Sequence, residues 1–351
     1  MARYKKFIDA NVLDEAKRRI HHIYDVHDAV IVSFSGGKDS LAVLHLVKEV
    51  AQERGIKKVD AVFRDEELIP QVIVDFVKTY HDADWLNLRW LAVPLESHKY
   101  VLGQTSDYIQ WDPNRKWVRE KPSWALTNKD LGYGEDKVWD QYSMDDQVAS
   151  WFKGKVGITI GLRAAESLIR FRSCVNKLNE NYIVGSLSSK RATLTRPIFD
   201  WQENDVFKYF YEEKINYCAI YDRQGWAGQA MRVSTPIHAE AAKRFDFLRR
   251  VDPDLYDRVV EVFPEMLVQE RYWSEFDRTK DIAAYGQSFE GIRTWILENI
   301  DDEGQQRKAM LELRSVMIRA KGNPQSYPTE YVLKAMMGGA YKRVIQPLKP
   351  R

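Results

Sequence analysis

Residues 29 to 50 change periodicity across a six-residue polar link. Ala29-Val30-Ile31-Val32-Ser33-Phe34 is apolar and mostly β-branched, the pattern of a parallel strand covered on both faces. Beyond Ser40, Leu41, Leu44, Val47 and Val50 recur at three-residue spacing with Val43 beside them, giving one apolar stripe on a helix. Between them lies Ser35-Gly36-Gly37-Lys38-Asp39-Ser40. The paired glycines allow a tight turn in which successive N–H groups point into one concavity. That concavity, the helix N-terminus, the Lys38 ammonium and the Ser35 and Ser40 hydroxyls form an anion site suited to phosphates. The spacing is neither that of a Walker A loop nor that of a dinucleotide-binding GxGxxG.

Ser-Gly-Gly-Lys-Asp-Ser resembles the PP-loop of the ATP pyrophosphatase superfamily, in which the loop holds the β- and γ-phosphates of ATP. The bland alternative is a glycine turn that only joins strand to helix.

At 351 residues the chain can hold two domains, or one large domain with an appendage. Its 53 Lys and Arg against 51 Asp and Glu exclude wholesale coating of nucleic acid, although local patches are compatible with it. No apolar run approaches the roughly 20 residues of a membrane span. The Met-Ala-Arg-Tyr-Lys-Lys start lacks the apolar core of a signal peptide, so a cytoplasmic location without membrane partners is expected. Cys174 and Cys218 stand far apart with no CxxC, which leaves neither iron–sulfur nor zinc ligands; two buried thiols are expected.

Strand and helix patterns alternate after the loop. Residues 10 to 27 read as a helix, 57 to 63 as a second strand ending at Arg64-Asp65-Glu66-Glu67, Pro70 to Tyr80 as a helix, Trp90 to Pro94 as a third strand and Lys155 to Ile160 as a fourth. This predicts an α/β fold with a doubly wound, mostly parallel sheet. The acidic cluster at 65–67 stands either toward the nucleotide, beyond the strand's carboxyl end, or as a solvated helix start.

Residues 97 to 154 read as a long irregular insertion with Trp111, Trp117, Trp124, Trp139 and Trp151. Its Arg115, Lys116, Arg119 and Lys121 either meet an acceptor or edge a packed aromatic subdomain, and packing is the commoner role of tryptophan. Gly161-Leu162-Arg163 through Arg170 follows the fourth strand and offers two guanidinium forks, with Arg172 beyond, to an anion at the sheet edge. Asp200 with Glu203 reads as a capping box. From Thr235 the pattern is helical with charged faces, at 237–250, 253–263, 288–300, 304–320 and 328–337. The domain expectation is thus a nucleotide-binding domain over 1–232 and a helical accessory domain with a basic tail over 233–351.

Three blocks, Ser35 to Ser40, Gly161 to Arg170, and Pro197 to Phe207 continued by Ile215 to Asp222, resemble in order the phosphoadenosine phosphosulfate (PAPS) reductase-like branch of the adenine nucleotide α-hydrolase superfamily. The resemblance covers roughly residues 25 to 230 and implies a five-stranded parallel sheet with an adenine nucleotide at its carboxyl edge. It implies phosphate contacts at Ser35, Gly36, Gly37, Lys38, Asp39 and Ser40, adenosine contacts at Asp65, and α-phosphate or sulfonucleotide contacts at Gly161, Arg163 and Arg170. Sulfonucleotide reductases need a nucleophilic cysteine in a C-terminal segment, and none follows Cys218 here. Cluster-bearing relatives carry Gly-Cys-x-x-Cys where this chain has Gly225 to Met231. The C-terminal extension is similar to that of phage and prophage members, often found with a ParB-like partner.

The first expectation is therefore an enzyme that cleaves ATP between the α- and β-phosphates, adenylates an acceptor and releases pyrophosphate. Lys38 and Mg²⁺, the latter held by Asp39 or Asp65, would neutralise the departing pyrophosphate, and Arg163 or Arg170 would stabilise charge at the α-phosphorus. A nucleic-acid base or a partner's carboxylate suits the insertion as acceptor, and a homo-oligomer is compatible with the chain. The alternatives are a sulfonucleotide-binding or reductase-like protein and a nucleotide sensor without turnover.

Overall fold

The apolar run at 29–34 becomes the middle of a sheet, in a computed structural model that describes residues 8–175, 180–185, 191–226, 235–276 and 279–348. In chain order the elements are α1 (Val12–Val26), β1 (Ala29–Ser33), α2 (Lys38–Glu53), β2 (Val59–Arg64), α3 (Gln71–His81) and β3 (Leu86–Leu91). There follow the hairpin β4 (Leu95–Val101) and β5 (Gln104–Gln110), then α4 (Gln141–Ser150), β6 (Val156–Ile160), α5 (Leu168–Cys174), β7 (Ile183–Gly185), β8 (Ala192–Thr195), α6 (Glu203–Glu212) and α7 (Ile220–Trp226). The main sheet has the order β3-β2-β1-β6-β8-β7. Its first five strands are parallel, as the resemblance implies, and β7 adds a short antiparallel edge.

Alternate residues of each strand enter opposite cores. Ile31, Val62 and Ile158 pack with Met144 and Val148 of α4, whereas Val32, Ala61, Phe63 and Trp90 pack with α1, α2, α3 and α6. This double cover explains the unbroken apolar strands. The third strand begins at Leu86, earlier than the expected 90–94. Leu86, Leu88 and Trp90 turn inward, and Asn87 and Arg89 both donate to Asp60 on β2.

The insertion is more regular than its sequence suggests. Leu102 (φ 42°) and Gly103 (φ 84°) form the two-residue turn of the β4–β5 hairpin, with both residues in the left-handed region that such turns require. Trp111 and Trp139 are buried, and Trp117, Trp124 and Trp151 half-buried, so the tryptophans are largely packing residues. Asp200 does not cap a helix. It binds Arg19 through two bonds of 2.7 Å, and α6 is capped by Gln202, whose N–H donates to Asp205 at 2.6 Å.

After α7 come α8 (Ala239–Ala242), α9 (Phe245–Val251), α10 (Pro253–Val262) and α11 (Met266–Phe276). The chain divides into compact units of residues 1–270 and 271–351, not at residue 232. Ile237, Phe245, Leu255, Val259 and Phe263 share one core with Tyr108 of the hairpin and Val118, which ties α8–α10 to the first unit. Leu102 N–H donates to Gln269 Oε1 at 2.6 Å and Tyr100 N–H to Ile237 O at 2.9 Å. The second unit contains α12 (Thr279–Tyr285), α13 (Phe289–Asn299), α14 (Glu303–Gly322) and α15 (Thr329–Met337) around Ile292, Ile296, Leu313, Val316, Leu333 and Met336. Among the described residues, no helix is long and apolar enough to cross a membrane.

Candidate functional site

From β1 the chain runs to β2 and β3 on one side, and β6 lies on the other, so the loop at 34–37 leaves the sheet where its strand order reverses. Open α/β sheets offer their ligand crevice at that point. Two glycines make the approach possible. At Gly36 φ is 73°, and a Cβ would stand 2.7 Å from Val77 Cγ2 and 3.0 Å from Ile73 Cγ2. At Gly161, just past β6, a Cβ would stand 2.5 Å from the Asp39 carbonyl carbon and 2.7 Å from its oxygen, with the Ser40 nitrogen closer still. The end of β6 thus presses backbone to backbone on the first turn of α2.

The loop braces itself through its hydroxyls. Ser35 N–H donates to Ser40 Oγ at 3.1 Å, Ser40 Oγ–H to Gly37 O at 2.9 Å, and Gly37 N–H to Ser35 Oγ at 3.3 Å. Lys38 is buried, its Nζ 3.3 Å from Asp39 Oδ2 and 3.2 Å from Glu203 Oε1 on α6. Its N–H donates to the hydroxyl of Tyr221 on α7 at 2.8 Å, and its ammonium lies 5.4 Å from the centre of that ring. Burial drives the Tyr221 pKa upward, so the phenol caps the helix as a neutral group.

Arg163 is buried, and its Nε donates to Asp39 Oδ1 at 2.6 Å. Glu166 links it onward, 3.8 Å from Arg163 and ion-paired with Arg170 on α5, whose side chain is half-exposed; Arg172 is exposed. The structure therefore brings Ser35, Gly36, Gly37, Lys38, Asp39, Ser40, Gly161 and Arg163 together, with Arg170 at the margin.

Asp65 belongs to another network. Its carboxylate is fully buried, accepting from Trp90 Nε1–H at 2.8 Å and Glu67 N–H at 3.0 Å, and it pairs with Arg119. Burial raises its pKa, against the pull of Arg119. Glu67, also buried, sits at φ 59° and accepts from Trp111 N–H at 2.6 Å, Val118 N–H at 2.9 Å and Arg115 at 2.7 and 3.0 Å. The insertion's Arg115 and Arg119 thus turn inward, where they neutralise the acidic cluster that follows β2. Lys121 lies 4.3 Å from the centre of the Trp117 ring, its pKa lowered by burial, and Lys116 pairs with Glu261.

Reasoning from the sequence did not foresee the ion pairs of Glu203, Glu166 and Glu67 and gave Tyr221 no role. Each carried a signal of position alone: Glu203 and Tyr221 lie in the third matching block, Glu166 in the second, and Glu67 in the acidic cluster after β2. Among the described residues no cluster of three His, Cys, Asp or Glu side chains is arranged to hold a metal ion. Cys174 and Cys218 are buried, and burial raises the Cys218 pKa. Residues 227–231 of the Gly225–Met231 segment lie outside the described residues, as do 349–351 of the basic tail.

A scan against protein-family models returns no match. The chain is similar to the uncharacterized protein YbdN of Escherichia coli strain K12, 27% identical over 269 residues that cover 72% of this chain and 66% of that protein. Among solved structures it is similar to FMN adenylyltransferase from Candida glabrata, with 15% identity over 60% of this chain and 57% of that one and a TM-score of 0.41. Another is PAPS reductase from Candida auris, with 12% identity, 62% and 93% coverage and a TM-score of 0.34. A third is the U34-tRNA thiolase NcsA of Methanococcus maripaludis, with 14% identity, 74% and 80% coverage and a TM-score of 0.34. The chain spans about two thirds of the curated relative and little more than half of the adenylyltransferase.

Proposed function

We propose that this chain is an ATP-dependent enzyme that cleaves the bond between the α- and β-phosphates, transferring the adenylyl group to an acceptor and releasing pyrophosphate. The observation that carries the reading is the convergence, at the strand-order reversal, of the glycine loop, the start of a 16-residue helix, buried Lys38 and buried Arg163. Two buried cations beside a helix N-terminus suit a polyphosphate whose charge must be neutralised as it leaves.

The roles follow from position. Amides of Gly36 and Gly37 and the hydroxyls of Ser35 and Ser40 bind the β- and γ-phosphates, and Lys38 offsets the charge that builds up on pyrophosphate. Asp39 orients Arg163 through the 2.6 Å bond, so the guanidinium reaches the α-phosphate in a fixed pose. Arg163 is better supported here than Arg170, which is half-exposed and paired with Glu166. The backbone N–H of Lys38 is a further donor once a phosphate oxygen replaces the Tyr221 hydroxyl. Asp65 does not fit a metal, because its carboxylate is spent on Arg119, Trp90 and the Glu67 amide. Asp39 is likewise shared between Arg163 and Lys38, so no step is routed through magnesium. The reductase alternative is weakened by Cys218, whose raised pKa lowers its thiolate fraction.

The test measures ATP binding and pyrophosphate release in wild type, Lys38→Met and Arg163→Gln. Binding should weaken about tenfold or more in Lys38→Met, consistent with losing a charged partner. Arg163→Gln should depress pyrophosphate release more than binding. Unchanged ATP affinity in Lys38→Met defeats the reading, as does adenosine 3′,5′-bisphosphate binding much more tightly than ATP.

A further inference from the structure

The insertion, α10 and Gln71 of α3 border an open cleft of about 460 Å³, of the size of a small-molecule site, that the proposed chemistry does not use. Lys116, Trp117, Arg119 and Glu120 form one wall, and Arg258 and Glu261 of α10 the other. Two of its three cations are already paired, Arg119 with Asp65 and Lys116 with Glu261. Arg258 is not. Among the described residues its Nε is buried without a hydrogen-bond partner, and its half-buried side chain lines the cleft, where a ligand carboxylate would pair with the guanidinium.

Trp117 supplies a rigid apolar surface beside this charge. Its Nε1–H donates to Asp112 O at 2.8 Å, its ring meets Trp111 edge-on at 5.6 Å, and Lys121 lies over it. A side chain held in this way loses little freedom when a ring packs on it. Glu120 and Glu261 limit the charge the cleft accepts: they oppose a dianionic phosphate more strongly than a monoanionic carboxylate, whose single charge matches one guanidinium fork.

We propose that this cleft is a second ligand site, for a small aromatic carboxylate held by Arg258 with its ring against Trp117. It is separate from the PP-loop. Gln71 lines the cleft and Ile73 closes on Gly36, and two residues along a helix are roughly 200° apart, so α3 stands between the two sites. The proposal involves binding alone and does not depend on the adenylyl-transfer reading.

Isothermal titration of the full chain with benzoate, phenyl phosphate and benzyl alcohol tests it. Benzoate should bind saturably with one site per chain, more tightly than the phosphate and about tenfold or more tightly than the neutral alcohol. Arg258→Gln should weaken benzoate about tenfold, and Glu261→Gln, which removes a facing carboxylate and releases Lys116, should strengthen it severalfold. That gain cannot come from a misfolded variant. The proposal fails if benzoate does not saturate, if Arg258→Gln binds it like wild type, if Glu261→Gln brings no gain, if phenyl phosphate binds more tightly, or if excess ATP displaces it.

Discussion

Gly161 is the residue at which fold and site meet most closely. A methyl group there would overlap backbone atoms of Asp39 and Ser40, and backbone cannot swing aside as a side-chain tip can. Gly161→Ala should therefore cost about 2 kcal/mol or more and displace the first turn of α2, weakening ATP together with stability. Equilibrium urea unfolding and ATP titration of the same variant check both effects. His45, on the buried side of α2, makes a separate prediction about pH. Burial holds its pKa at about 4, against an ordinary 6.5, while its Nε2 lies 3.0 Å from the Tyr80 hydroxyl. Between those values the unfolded chain binds the proton and the folded chain does not, so this contribution is complete above pH 6.5 and is lost as pH falls toward 4. It amounts to roughly 3 kcal/mol, and His45→Gln should flatten the fall in unfolding free energy between pH 7 and 4.5. Equal slopes in both proteins would count against it.

At the scale of elements, what the sequence made legible was whatever is local. The β1–loop–α2 unit is written in period and composition over some twenty residues, and the loop lies where those signals put it. The pressed contact of Gly161 on α2 was implied only as a nearby ligand contact, because its other half lies in a segment more than a hundred residues earlier. The hairpin inside the insertion was missed for the same reason, although its tryptophans pack as expected. The solvent-facing positions of β4 and β5 carry Glu96, His98, Ser106 and Asp107, which weaken the strand pattern, and the partners of Arg115 and Arg119 stand 48 and 54 residues away. These arginines look like a basic edge in sequence and are internal counter-charges in the fold. Removing one partner of a buried ion pair costs roughly 3 to 5 kcal/mol, so Arg119→Ala should destabilise the first unit by about that much. Lys116→Ala, which breaks an exposed pair, should cost less than about 1 kcal/mol. Urea unfolding of the two variants separates these roles; comparable small losses in both would mean that Arg119 does not hold the insertion.

For the whole molecule, the division at Glu270 rather than near residue 232 makes a prediction about where the chain can be cut. Residues 235–263 cover the hairpin and the segment behind it: Leu68, Tyr108 and Val118 are buried against Ile237, Phe245, Leu255 and Phe263. Fully burying one large apolar side chain is worth roughly 1.5 to 3 kcal/mol, so exposing three costs about 5 kcal/mol or more, comparable with the whole stability of an ordinary domain. Gln269 adds two bonds to the same region, accepting from Leu102 N–H and donating to Ala242 O at 3.0 Å. A chain ending at residue 232 should therefore lose cooperative unfolding, and ATP binding with it, because α3, β2 and the insertion support the loop together. A chain ending at residue 276 retains every residue of this cover and should keep both. Circular dichroism melts and ATP titration of the two truncations decide the matter: cooperative, ATP-binding protein from the shorter chain would show that the covering helices are dispensable to the unit that carries the loop.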